Sequence, residues 1–323
     1  MLKTKKELSK ATVRKTVGKL TFSFFRYCML IVIGYIVIYP LLYMISNAVK
    51  SSDALLDVTR LWVPKYFSLE NFKTAFEVMD FPNALKRTLT LHVVSAVIEV
   101  FSCSMIAYGF ARFKFRGRSV ALVILIISLL IPVQMYSLPL AVNYRNLDIF
   151  GIFGGIANLT GIDLRLDIYN TNFTFWLPSL FGVGIRSGII IYIYIQFYSN
   201  LPYELEEAAY VDGAGLFRTY FCIALPSSSV VIVTVTVLSV IWHWNENFLS
   251  SLCFISEEQP LSVVLYNMEM TLHQIGLRLY LSGGKAETAI FAGCILYVMI
   301  PLVAYLFFQR KFVKSIDRVG ITG

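Results

Sequence analysis

Charge is scarce in this sequence. Only 15% of its 323 residues are Asp, Glu, Lys or Arg, where a soluble domain carries about 25%. With 57% hydrophobic residues and a mean hydropathy of +0.68, that shortfall excludes an ordinary soluble domain. Histidine is almost missing, at three residues. No H-E-x-x-H, G-x-S-x-G or Cys/His pairing at a plausible spacing occurs, so no catalytic set emerges. The phosphate-binding pattern G-x-x-x-x-G-K-[ST] does not occur either. Five cysteines (Cys28, Cys103, Cys222, Cys253 and Cys294) are odd in number and never spaced C-x-x-C. That argues against a disulfide framework and against a metal site. The net charge of +8 falls in short clusters beside apolar runs rather than along one face, which argues against a nucleic-acid partner.

What is present is long apolar runs. Six read as membrane-spanning helices: Tyr27–Ile45, Leu89–Phe110, Val120–Val142, Phe175–Tyr198, Val230–Leu249 and Thr288–Phe308. Helix is the expected state because a backbone in lipid must satisfy its own hydrogen bonds. Residues 1–22 form a basic tail with Glu7 as its one acid, expected to be disordered or to lie on the membrane surface. The first run is long enough to span and no A-x-A cleavage site follows it, so it reads as a retained helix rather than a signal peptide.

The basic residues set an orientation. With six spans, both termini share a side. That side carries 17 Lys and Arg residues, the other carries 10, and Arg186 lies within a span. The richer side is the cytoplasmic one. Three long segments then lie outside: Asn47–Thr88, which reads as partly helical and amphipathic, Asn143–Thr174 and Ser250–Glu287. Loops of this size are often functional, and a partner on the outer face is a natural use for them.

One acidic island separates two apolar runs, NLPYELEEAAYVDGAGLFRTYFCIALP at Asn200–Pro226. Asn200 reads as a cap and Pro202 as a first-turn residue. Glu204, Glu206 and Glu207 crowd the first turns, where the helix dipole favours carboxylates. Asp212-Gly213 breaks the helix, since glycine takes a left-handed backbone without steric cost. A second short helix is expected from Ala214 to about Ala224, with Pro226 stopping it and opening the next long helix. The result is a helix–turn–helix elbow at the cytoplasmic edge of the membrane.

The motif residues Glu207-Ala208-Ala209, Asp212-Gly213-Ala214, and Ile223, Leu225 and Pro226 resemble the EAA loop of binding-protein-dependent ABC importer permeases. YFSLENFKTAF, AYGFARFKFRGRS, LIPVQMYSLPL, WHWNENFL and FFQRKFVKSIDRVGITG resemble further stations of the carbohydrate branch, the maltose-type second permease, so the likeness runs from about Pro40 to the C-terminus. The sequence departs from the family's pattern at Arg87-Thr88, where Asn-Ser is usual. It departs again in the long segment around Leu159–Thr174, and in the extra polar residue of WNEN. The resemblance implies an all-α membrane protein with six transmembrane helices, the type I ABC importer transmembrane domain. Basic tail 1–22, first helix and external loop 23–86, permease domain 87–309 with coupling loop 200–226, and C-terminal tail 310–323 would be its parts. It implies a multi-pass protein of the bacterial cytoplasmic membrane. Its partners would be a second homologous permease, two ATPase subunits and an extracytoplasmic solute-binding protein. This chain would bind no cofactor, and the partner ATPase would use ATP and magnesium. The elbow would be the coupling helix, with Gly213 permitting the turn and Glu207 and Asp212 organising the elbow and its docking. Ser315–Gly323 would reach the ATPase interface, and Glu257–Leu281 the binding protein. LSGGK at Leu281–Lys285 resembles an ATPase signature loop, but without a phosphate loop it reads better as a turn before the last helix.

Polar residues within the spans mark a candidate translocation cavity: His92, Glu99, Gln134, Arg186, Trp244 and Asn245. Charges at membrane depth cost several kcal/mol on insertion scales and usually face a bundle interior or cavity. At about 1.5 Å per residue, Glu99 and Arg186 both lie roughly 15 Å deep. They are expected either to pair, to line one cavity, or to meet separate partners. His92 shares a helix face with Glu99, which reads either as a packed residue or as part of a proton relay. Gln134 lies between Pro132 and Pro139, where span three is expected to kink. The cluster Trp242–Asn247 suits the stacking and hydrogen-bonding needs of a sugar, or else forms an aromatic belt. A sugar, in particular an oligosaccharide, is the expected cargo. A non-sugar solute on the same fold, or a secondary transporter without an ATPase, is the alternative.

Overall fold

A computed structural model describes residues 2–51, 62–63, 66–148, 151–255, 258–279 and 283–320. It is helical throughout, and among the described residues two isolated β-bridges, Lys50 with Phe67 and Leu147 with Leu166, are the sole extended pairings. The first helix, α1, runs Leu2–Ala48 without interruption. The basic tail is therefore not a separate disordered segment. It is rich in good helix formers, and adding turns to an existing apolar helix avoids a second costly nucleation.

Two short helices follow, α2 (Glu70–Val78) and α3 (Phe81–Thr88), the first on the predicted amphipathic stretch. A π-turn at Leu89–Val93 joins α3 to α4 (Val94–Arg112), so the second span begins a full turn or more earlier than hydropathy placed it. Helix α4 is the centre of the molecule. It packs most extensively on α9 (Ser187–Asn200), and also on α8 (Phe173–Leu180) and α13 (Ser229–Trp244).

The third and fourth predicted spans are not single rods. The third is α5 (Arg118–Ser128) and α6 (Val133–Arg145), which meet at 103°. Pro132 takes an extended conformation at the break, because proline has no N–H to continue the ladder and disfavours α-backbone before it. Pro139, by contrast, sits inside α6. The fourth is α8 and α9, separated by Phe181–Arg186, where Gly182 and Arg186 both take left-handed backbone, with φ of 68° and 57°. At about 1.5 Å per residue, α9 alone reaches roughly 21 Å, short of the roughly 30 Å hydrocarbon layer.

Helix α7 (Ile152–Thr160) lies within the second long connection. The elbow comprises α10 (Glu204–Val211), α11 (Leu216–Thr219), a second π-turn at Tyr220–Ala224, and the single turn α12 (Leu225–Ser227), which meets α13 at 78°. Beyond it come α14 (Phe248–Cys253), α15 (Leu261–Leu279) and α16 (Gly283–Gly320). The last span and the C-terminal tail thus form one helix up to Gly320. Helix α15 fills most of the predicted Glu257–Leu281 segment. Glu257, Tyr280, Leu281 and Ser282 lie outside the described residues, and Gly283–Lys285 opens α16 rather than a turn. Helices α1, α3–α4 and α16 are long and apolar enough to cross a membrane alone, and the two bent pairs raise the number to five.

The core has three parts. One joins α4, α9, α13 and the second π-turn around Tyr108, Tyr194, Tyr198 and Tyr220. A second joins the end of α1 to α2, α3, α15 and α16. The third packs Leu91, Tyr144, Phe175 and Phe254 near the α8–α9 break.

Candidate coupling elbow and embedded polar site

The elbow is built on a buried ion pair. Arg112, the last residue of α4, donates from Nε to Glu206 Oε1 at 2.7 Å and from Nη2 to the Leu201 carbonyl at 2.6 Å. Its guanidinium lies 4.2 Å from the centre of the Tyr203 ring. Both side chains of the pair are at most 5% exposed. A pair this enclosed gains little over an apolar substitute, but losing one partner strands a buried charge. Arg112 therefore ties the elbow to the end of the central helix.

The inward-facing carboxylate is neither of the two expected to organise the elbow. Glu207 is exposed, with no side-chain hydrogen bond among the described residues, and it is Glu206, one residue earlier, that turns inward. Ala209 is buried, whereas Ala208, Asp212 and Gly213 are exposed. Asn200 ends α9 instead of capping α10, and its amide bonds to the Gln196 carbonyl. Gly213 turns the chain at φ 79°, and Gly213 and Ala214 donate to the carbonyls of Tyr210 and Ala209. Ile223 and Leu225 are half-buried, and Pro226 is exposed in α12. The long helix opens after Ser228 rather than at Pro226. The outer side of the elbow mixes exposed charges with exposed apolar side chains, Val211 at 87% and Phe217 at 73%.

A hydroxyl network leads inward from the elbow. Tyr220, in the π-turn, donates to Ser104 of α4 at 3.0 Å. Ser104 and Tyr198 of α9 are bonded at 2.7 Å, and Tyr198 reaches Ser228 at 3.3 Å. Tyr108 packs against both Tyr198 and Tyr220. The cluster thus joins α4, α9 and the second π-turn.

Farther along α4 lies a second polar site. Glu99 is fully buried. Its carboxylate accepts hydrogen bonds from the hydroxyls of Ser187, the first residue of α9, and Ser239 of α13, the latter at 2.7 Å. His243 Nδ1 lies 3.0 Å from the Ser239 carbonyl and 3.6 Å from Glu99. A carbonyl only accepts, so Nδ1 carries a proton. His92, in the first π-turn, is also fully buried, 3.4 Å from Ser250 Oγ and 6.4 Å ring to ring from His243.

Glu99 and Arg186 do not form an ion pair. Arg186 caps the start of α9 rather than lying within a helix, and its guanidinium sits 5.2 Å from the Trp242 ring centre. The broken backbone turns it away from the position that an unbroken span would give. Arg186 and Asn245 line a cavity of about 170 Å³ between α6, α8, the break and the end of α13. His92, Glu99 and Trp244 do not line it. They are buried, and Trp244 packs on Tyr297. Gln134 is exposed on α6, also outside the wall. Among the described residues no group of three His, Cys, Asp or Glu side chains is placed to hold a metal ion.

Sequence reasoning missed Arg112, Ser187, Ser239 and the tyrosine–serine network. An Arg at the end of an apolar run reads first as a topology signal, and serine gives no hydropathy signal. The Arg112–Glu206 pair spans 94 residues, beyond any local pattern.

The family model described as the binding-protein-dependent transport system inner membrane component matches residues 101–318, two thirds of the chain and including the whole elbow. The chain belongs to that family. A starch degradation products transport system permease protein of Thermoanaerobacterium thermosulfurigenes, described as probable, is 28% identical over 88% of this chain and 92% of its own. The arabinooligosaccharides transport system permease protein AraQ of Halalkalibacterium halodurans is 26% identical, over 90% and 93%. A chain of a bacterial ABC transporter involved in the import of the acidic polysaccharide alginate superposes with a TM-score of 0.69 at 18% identity, covering 90% of this chain and 96% of that one. The fold is that of type I ABC importer permeases.

Proposed function

We propose that this chain is one of two permease subunits of an ATP-driven importer that carries a saccharide, in particular an oligosaccharide, from an extracytoplasmic binding protein into the cytoplasm. The observation that carries this reading is the elbow, an exposed ridge with apolar Val211 and Phe217 at its surface, braced on α4 by a buried Arg112–Glu206 pair. A ridge fixed this way transmits a push on its outer face to the central helix. Glu207, Ala208 and the Asp212–Ala214 turn are then surface of the docking element, and Glu206 and Ala209 its anchor. The transport-permease relatives named for starch products and arabinooligosaccharides support a saccharide cargo.

The excess of Lys and Arg at the elbow end, 17 against 10, supports a cytoplasmic elbow and cytoplasmic termini, in reach of an ATPase that supplies the ATP and magnesium chemistry. Helix α15 on the other side is the surface for the binding protein, and the apolar face of α1 belongs to the bilayer and the second permease.

The test is affinity purification of the tagged chain from native membranes, wild type against Gly213→Trp. A second permease and an ATPase should accompany wild type, and the variant should keep the permease and lose the ATPase. A folded wild-type chain that brings down no ATPase would falsify the importer reading.

A further inference from the structure

The cavity beside the α8–α9 break has a wall whose chemistry selects among saccharides. Its two charged residues are Arg186 and Glu246. Arg186 is exposed, has no ion pair among the described residues, and holds left-handed backbone at φ 57°. A non-glycine residue keeps such a conformation where its surroundings over-determine it, and such positions cluster at functional sites. Its guanidinium rests over Trp242, which fixes its orientation while leaving its N–H groups available. Glu246 is anchored by the Leu249 backbone N–H, which donates to Oε1 at 2.6 Å. Ser179 also lines the cavity. It is fully buried, and its hydroxyl has no hydrogen-bond partner among the described residues. Tyr136 adds an aromatic face that is 43% exposed.

Guanidinium only donates and carboxylate only accepts, while a hydroxyl does both. A ligand rich in hydroxyls satisfies Arg186, Glu246 and Ser179 together. The wall's two charges cancel, so a carboxylate ligand would gain from Arg186 and lose to Glu246. At about 170 Å³ the cavity is smaller than the roughly 300–1,000 Å³ of pockets for drug-sized ligands, so it admits one ring rather than a chain. Resting on the importer reading above, we infer that this subunit carries its own subsite for one uncharged glycosyl unit, with Arg186, Glu246 and Ser179 bonding its hydroxyls and Tyr136 packing its C–H face.

Trp242 makes the site observable. The transporter is purified through the full-length chain, placed in lipid nanodiscs, and its tryptophan fluorescence titrated with neutral gluco-, xylo- and arabino-oligosaccharides and with oligogalacturonates. At least one neutral set should give a saturable change that Trp242→Phe abolishes. Arg186→Asn removes the charge while keeping a residue tolerant of left-handed backbone, and should weaken that binding tenfold or more. Tyr136→Leu should weaken it severalfold. Oligogalacturonates should bind at least tenfold more weakly than the best neutral ligand. Equal or tighter binding of the acidic sugars overturns the neutral class. A response that survives Trp242→Phe, wild-type affinity in Arg186→Asn, or no response to any neutral saccharide overturns the subsite. If that happens while the ATPase still co-purifies and saccharide uptake persists, the subsite alone falls. Loss of ATPase co-purification from wild type is the separate failure of the importer reading.

Discussion

The Glu99 carboxylate accepts a hydrogen bond from the Ser239 hydroxyl at 2.7 Å, joining residues 140 positions apart. With the Ser187 hydroxyl on its other oxygen, Glu99 locks α4, α9 and α13 together. Removing the carboxyl group leaves both buried serine hydroxyls without this partner, at about 1–3 kcal/mol each. Glu99→Leu should therefore lower stability by about 3 kcal/mol or more and reduce the yield of folded protein. Glu99→Gln keeps both contacts, because the serine hydroxyls can donate to its oxygen or accept from its nitrogen, and should cost about 1 kcal/mol. Thermal unfolding in detergent measures both, and equal losses would remove the locking role.

Gly184 has no room for a side chain. A Cβ there would lie 2.7 Å from Glu99 Oε1 and 3.2 Å from the Ser179 Cα. Gly184→Ala should destabilise the fold by about 1–3 kcal/mol through overpacking. Gly155→Ala, which meets nothing within 4 Å, serves as the control and should be neutral or slightly stabilising in the same melt.

Arg112 and Glu206 should be costly to separate. Arg112→Ala or Glu206→Ala leaves a buried charge without its partner, worth about 3–5 kcal/mol. The double change to alanine should cost less than the sum of the two. A double-mutant cycle in thermal stability, read beside the coupling of ATP hydrolysis to uptake, checks this. Additive losses would show that the pair does not brace the elbow.

Gly213 offers a purely conformational probe. Open space surrounds it, yet its φ is 79°, so an added methyl meets only the backbone cost, about 1–2 kcal/mol. Gly213→Asn should be milder than Gly213→Ala, since Asn tolerates this region better. Both should retain more ATPase in purification than Gly213→Trp, and the order Asn, Ala, Trp is the expected ranking.

Tyr198→Phe removes the hydroxyl that reaches Ser104 and Ser228 while keeping the ring packed on Tyr108. The fold should lose about 1–2 kcal/mol. If the network carries the elbow's motion, uptake should fall more than binding of the ATPase. A parallel fall in both would make the network merely structural.

The sequence by itself determined the apolar helices, because about twenty apolar residues have one stable state in lipid. It determined the Gly213 turn, because glycine takes that backbone most readily, and the family through the residues from Glu207 to Pro226. Pro132 marked a kink, though not a bend of 103°. The glycines at 182 and 184 carried a signal for the α8–α9 break that average hydropathy concealed. Only the tertiary structure decided that Glu206 rather than Glu207 anchors the elbow, since neighbouring carboxylates on one helix differ by the face they present to Arg112. It also decided that Glu99 meets two serines and a histidine instead of Arg186. Such pairings depend on the packing of helices about a hundred residues apart in sequence, and hydroxyl partners leave no mark in charge or hydropathy.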